Sequence, residues 1–182
     1  MKIENLPFSL RAIITFIPCI LIVPFDPLLA FCLFIVLFEK CIISIFPLPG
    51  IEFTTLATFL FALKYDLIYA LFLAFFVPGV IASVFKYTLW KEFKKPDEAP
   101  ITLGGGTLID MLMVAFCWFL KTSFTFSLLQ LMFIFLLVKH IINFVKGHYT
   151  GSVDVIGPFI SFFLNIFLIL IFEGFFLWLL NA

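Results

Sequence analysis

The chain has 182 residues, 64% of them apolar types and 12% charged, with a mean hydropathy of +1.27. Soluble domains carry about 25% charged residues, so this composition cannot build a water-facing surface. It does not fit a membrane β-barrel either, whose strands alternate apolar and polar residues. Eleven basic and eleven acidic side chains cancel to a net charge of zero, which argues against nucleic acid, since that needs a basic stripe or patch.

In chain order, Leu6 to Val23 is a first apolar segment, bent at Pro18 and stopped by Pro24-Phe25-Asp26-Pro27. Leu28 to Phe46 is the second, interrupted by Glu39-Lys40 and ended by Pro47, Pro49 and Gly50. Phe46 to Gly50 is expected to be an extended lead-in. From there the pattern predicts a short helix over about Ile51 to Leu63, a turn at Lys64-Tyr65-Asp66, and a long helix over about Leu67 to Trp90. The short helix has about 13 residues, or about 20 Å, against a hydrocarbon core of ~30 Å. Lys91 to Pro100 is a hydrophilic loop. Gly104-Gly105-Gly106-Thr107 opens a helix to about Leu120, again short, and Phe124 to Val145 is a full span. Lys146 to Val155 is a second polar loop, and Gly157-Pro158 starts a last span to Leu180.

These segments predict an all-α fold. It is one transmembrane helical domain over residues 1–182, a polytopic bundle of six to seven membrane segments with half-length helices among them. Basic residues set the orientation. With the N-terminus cytoplasmic, Lys2, Arg11, Lys40, Lys86, Lys91, Lys94, Lys95, Lys139 and Lys146 fall inside, and only Lys64 and Lys121 outside. If the first two segments act as one unit, Lys2 and Arg11 move outside.

The short helix carries Glu52, Thr54, Thr55 and Thr58 in its first turns. Half-length helices with polar heads at membrane depth are where membrane proteins often place binding sites. The alternative is local: Glu52 caps the helix and the threonines bond back to earlier carbonyls. Asp110 and Glu173 are ionisable groups inside spans with no adjacent loop to reach, which points to function. Asn165 and Ser161 lie one turn apart on the last helix and could line the same interior. Glu39, Asp26, Asp66 and Asp154 are expected to reach water, and Lys40, Lys86 and Lys139 to snorkel to the interface. The ligand-site candidates are therefore Glu52, Thr54, Thr55, Thr58, Asp110 and Asn165.

Ala70, Ala74, Pro78 and Ala82 recur every four residues on the long helix, a stripe without bulk that lets another helix approach closely. That helix belongs either to this chain or to a separate membrane subunit. The glycine run lacks the lysine and preceding strand of a P-loop and reads as a turn or close-packing element. Cys19, Cys32, Cys41 and Cys117 are expected to be buried free thiols. His140 and His148 are eight apart with no carboxylate or cysteine at ligand spacing, and no nucleophile–base arrangement is visible. No metal, no cofactor and no enzymatic activity are expected.

The run PGIEFTTLATFLFALKYDLIYALFLAFF, residues 49–76, resembles the second and third helices of the substrate-binding S components of energy-coupling-factor vitamin transporters. The rod-shape-determining membrane protein D family is similar in pattern. The resemblance implies docking of Ala70 and Ala74 on a coupling subunit, and places Glu52, Thr54 and Thr55 near a ligand. The turn is Lys-Tyr-Asp where those families favour Gly-Pro, and the alanine stripe lies on a later helix than theirs. The expectation is an integral membrane protein of S-component-like fold, in the cell membrane, binding a small molecule or ion for uptake. The alternatives are a non-catalytic structural or scaffold subunit and, third, a lipid-handling protein.

Overall fold

The computed structural model describes residues 6–46, 50–90, 105–151 and 154–182. Residues 47–49 of the lead-in, the Lys91–Pro100 loop, Gly104, and Lys2 lie outside them. The described residues form helices, with no strand among them. The helices are α1 (Phe8–Ile22), α2 (Pro27–Leu37), α3 (Phe53–Lys64), α4 (Leu67–Phe75), α5 (Ala82–Leu89), α6 (Gly105–Ser123), α7 (Leu128–Thr150) and α8 (Ile156–Asn181). A π-helical turn, Phe38–Ile42, and a 3₁₀ turn, Ile43–Ile45, extend α2, and a π-helical stretch, Phe76–Ile81, joins α4 to α5. Among the described residues, five continuous helices are long and apolar enough to cross a membrane: Pro27–Ile45, Leu67–Leu89, Gly106–Ser123, Leu128–Thr150 and Ile156–Asn181. The fold is compatible with an integral membrane bundle.

Local chemistry sets the boundaries. Asp26 Oδ1 accepts from Leu29 N at 2.9 Å with Pro27 at the first helical position, and Asp66 Oδ1 accepts from Tyr69 N at 2.9 Å, so both aspartates cap helices. Ser127 and Gln130 form a reciprocal capping box that starts α7 at Leu128, later than the Phe124 expected from the apolar run. At its other end α7 stops at Gly151, whose φ of 70° suits a residue without a side chain. Pro78 has no N–H to donate and opens the helical ladder, which is why the long helix carries a π stretch there.

Successive apolar segments run alternately between two ends of the bundle. At one end the Tyr65 hydroxyl donates to Asp26 Oδ2 (2.6 Å), Lys64 Nζ to the Leu180 carbonyl (3.0 Å), and Lys121 Nζ to the Leu63 carbonyl. At the other, Arg11 Nη1 donates to the Leu89 carbonyl (3.2 Å) and Trp90 Nε1 to Thr15 Oγ1 (3.0 Å), holding α1 to α5. Gly50 lies against α8 there; a Cβ on it would sit 2.5 Å from the Gly157 carbonyl oxygen.

The centre is α3. Every residue from Thr54 to Ala62 is buried, and the helix packs against α2, α4, α6 and α8. Its 12 residues make it about 18 Å long. A helix apolar on all sides belongs inside a bundle, and the Phe59 ring meets Phe135 of α7 edge-on at 5.4 Å.

Three expectations about the helices change. The helix opened by the glycine run is not short. It continues through Lys121 to Ser123 because the Thr122 hydroxyl bonds back to the Trp118 and Phe119 carbonyls. The second short element is instead α1, with 15 residues. The small-residue stripe is broken at Pro78: Ala70, Ala74 and Ala82 are fully buried within this chain, whereas the π stretch turns Pro78 partly outward. Within this chain α4, which carries Ala70 and Ala74, packs on α3 and α6, and α5, which carries Ala82, packs on the Phe38–Ile42 turn, α1 and α2.

Candidate functional site

Lys139 is the midpoint of α7, eleven residues from both Leu128 and Thr150, about 16 Å from either end. It does not snorkel. Only 5% of it is exposed, and its ammonium points into the bundle. Asp110 Oδ1 of α6 lies 2.7 Å away, and the ammonium donates to Thr55 Oγ1 at 2.5 Å. The Thr55 hydroxyl donates in turn to Glu52 Oε2 at 3.1 Å, and that oxygen is 3.8 Å from Lys139 Nζ. One lysine thus joins a carboxylate from α6 and a hydroxyl and a carboxylate from the head of α3. The site residues expected from sequence at Glu52, Thr55 and Asp110 meet, and they meet at a residue expected to be elsewhere.

A second pair of charges sits beside this one on the π turn after α2. Glu39 Oε2 accepts from both the backbone N–H (2.6 Å) and the hydroxyl (2.9 Å) of Thr54, while Glu39 Oε1 is 2.7 Å from Lys40 Nζ. Glu39 is buried rather than turned to water, because α3 leaves orphan N–H groups at its N-terminus that a carboxylate can satisfy. Glu52 occupies the N-cap position yet makes no capping bond; its side chain is 47% exposed and turns to Thr55 and Lys139. The cap of α3 comes from another helix, 15 residues earlier in the chain.

The remaining candidates divide. Thr58 donates to the Thr55 carbonyl at 3.0 Å, a local bond, and is fully buried. Asn165 is fully buried on α8 and donates to Ser161, to its carbonyl at 2.7 Å and its hydroxyl at 3.3 Å. The Asn165 Oδ1 has no hydrogen-bond partner, and neither does either ring nitrogen of His140. Asn165 makes no bond to the Lys139 group.

Lys139, Glu39 and Lys40 are the participants not anticipated from sequence. A lysine at the centre of a 23-residue apolar helix is the signal for the first, since a side chain there is farthest from either interface. For Glu39 and Lys40 the signal is adjacent opposite charges inside an apolar run. No cluster of histidine, cysteine and carboxylate suited to a metal ion occurs among the described residues, and all four cysteines are buried free thiols. Chemically, the arrangement offers ammonium donors and carboxylate acceptors grouped among apolar helices.

No protein-family model, curated protein or solved structure matches the chain.

Proposed function

We propose that the chain is an integral membrane protein that binds a small polar molecule or ion at the head of α3 for uptake, without covalent catalysis. The observation that carries this reading is the buried Lys139 ammonium halfway along α7, paired with Asp110 of α6 and with Thr55 and Glu52 at the start of a helix too short to cross. A buried ion pair is often no more stable than apolar residues of the same volume, so a chain needing only a packed core has little reason to keep one. Ionisable groups at this depth ordinarily line the path of a solute or ion. Glu52, half-exposed and only 3.8 Å from Lys139, is the group best placed to exchange its partner for a ligand. Short polar-headed helices in S components provide the parallel in architecture. In the cell membrane, the end carrying Arg11, Lys40, Lys86 and Lys146 would face the cytoplasm, with the N-terminus on that side.

A second reading, a non-catalytic scaffold subunit, is favoured by one specific observation: Lys139, Asp110, Thr55 and Glu52 already pair with one another. The test is a thermal-shift screen of small polar solutes and inorganic ions on the purified chain in detergent, alongside a Lys139→Met/Asp110→Leu double variant. A solute that raises the melting temperature of the parent and not of the double variant is expected. If every solute tested shifts both proteins alike, or neither, the scaffold reading stands instead.

A further inference from the structure

Glu173 lies on α8, and its carboxylate is exposed on the outside of the bundle. Among the described residues it has neither an ion-pair nor a hydrogen-bond partner. It is eight residues before the end of α8 at Asn181, about 12 Å inside a helix apolar enough to span. Lys64, at the same end of the bundle, is engaged by the Leu180 carbonyl. An unpaired carboxylate on an apolar helix that faces lipid is costly, and such groups are normally paired.

The surroundings suit a helix. Buried residues of α8 cover one face, which meets α7, α3 and α2. Beside that face an open groove is lined by Phe159, Phe163, Ile166 and Leu170, and Glu173 and Leu177 continue the same three- and four-residue spacing. Gly174 follows directly, and a Cβ there would meet nothing within 4 Å, so a neighbouring backbone can come close. Phe172, one residue before, has φ −109° and ψ 22°, a local kink across which the buried positions Ile169 and Phe176 keep the same helix face.

We propose that this face of α8 docks a transmembrane helix of another protein, one that carries a lysine or arginine at the depth of Glu173. A second copy of this chain is the poorer fit. In a two-fold interface the same patch meets itself, which brings Glu173 against Glu173, and like charges in a low-dielectric medium repel. A basic partner pairs with the carboxylate and covers the apolar groove in one contact.

The test uses the full chain, fluorescently labelled and reconstituted in lipid nanodiscs, with synthetic single-span polyleucine peptides as acceptors. One peptide carries a single lysine at the depth of Glu173, one is leucine throughout, and one carries glutamate. The lysine peptide is expected to associate at least tenfold more tightly than the leucine peptide. That preference should vanish in Glu173→Leu and weaken in Glu173→Gln, with the melting temperature unchanged in both because the exposed side chain makes no hydrogen bond or ion pair among the described residues. Equal association of the three peptides overturns the proposal, as does a lysine preference that survives Glu173→Leu. Self-association of the chain that depends on Glu173 and excludes the lysine peptide would assign the face to a second copy, and would overturn it too.

Discussion

Lys139 of α7 and Asp110 of α6 form a 2.7 Å ion pair enclosed by the bundle, 29 residues apart in sequence and both buried. Breaking it from one side leaves a buried charge without its nearest counter-charge. Lys139→Met or Asp110→Leu alone should each cost about 3–5 kcal/mol, whereas the two combined should recover most of the loss. Unfolding of the four proteins in detergent gives the coupling energy. Additive single losses would show that the pair carries no mutual stabilisation.

Glu39, not Glu52, should matter to the start of α3. Replacing Glu39 with alanine leaves the Thr54 N–H and hydroxyl without their acceptor and should cost about 1–3 kcal/mol. Glu52→Ala removes a half-exposed carboxylate that caps nothing, so its effect on stability should be clearly smaller. Comparing the two melting temperatures checks the order, and a larger loss at Glu52 would contradict the assignment of the cap.

Gly50 tests the approach of the α3 lead-in to α8. Its φ of 78° strains any residue with a Cβ, by about 1–3 kcal/mol. In addition the new Cβ would lie 2.5 Å from the Gly157 carbonyl oxygen and 2.7 Å from Ile160 Cβ. Gly50→Ala should therefore destabilise strongly. Gly157→Ala should be milder, since its Cβ meets the Asp154 side chain, which can swing away at the loss of a helix cap worth about 0.5–2 kcal/mol. Parallel thermal scans of the two variants measure the difference.

Alkaline stability should depend on Tyr65, which sits in the turn between α3 and α4. Burial first, and then the hydrogen bond to Asp26 and its charge, push the Tyr65 phenol up from its ordinary value of 10.0. A group raised in the folded state stabilises fully below its unfolded pKa and loses that contribution as pH climbs toward the folded one. Stability should therefore fall as pH rises above about 10, and Tyr65→Phe should flatten that fall while lowering stability at neutral pH. Tyrosinate absorbance followed with pH, together with melting temperatures, reads both; a parent and variant with the same alkaline slope would show that Tyr65 does not contribute.

The sequence by itself determined the class and most of the segments. A charged content of 12% and long runs of Phe, Leu and Ile leave only helices that satisfy their own backbone bonds. The prolines, glycines and aspartates that bound those runs act through their immediate neighbours, so Pro27, Asp66 and the shortness of α3 were legible. What the tertiary structure decided was the direction of each polar side chain. Lys139 and Glu39 looked free to reach water, because a single helix offers no reason for either to turn inward. That reason comes from other helices: Asp110 and Thr55 for the lysine, and the bare N-terminus of α3 for the glutamate. Likewise the spacing of Ala70 and Ala74 marked a close approach, but only the position of α3 and α6 beside α4 showed what packs there. Local pattern carries the period of a helix and the signals at its ends. Pairing between distant segments depends on which faces the bundle brings together, and no short stretch of sequence encodes that.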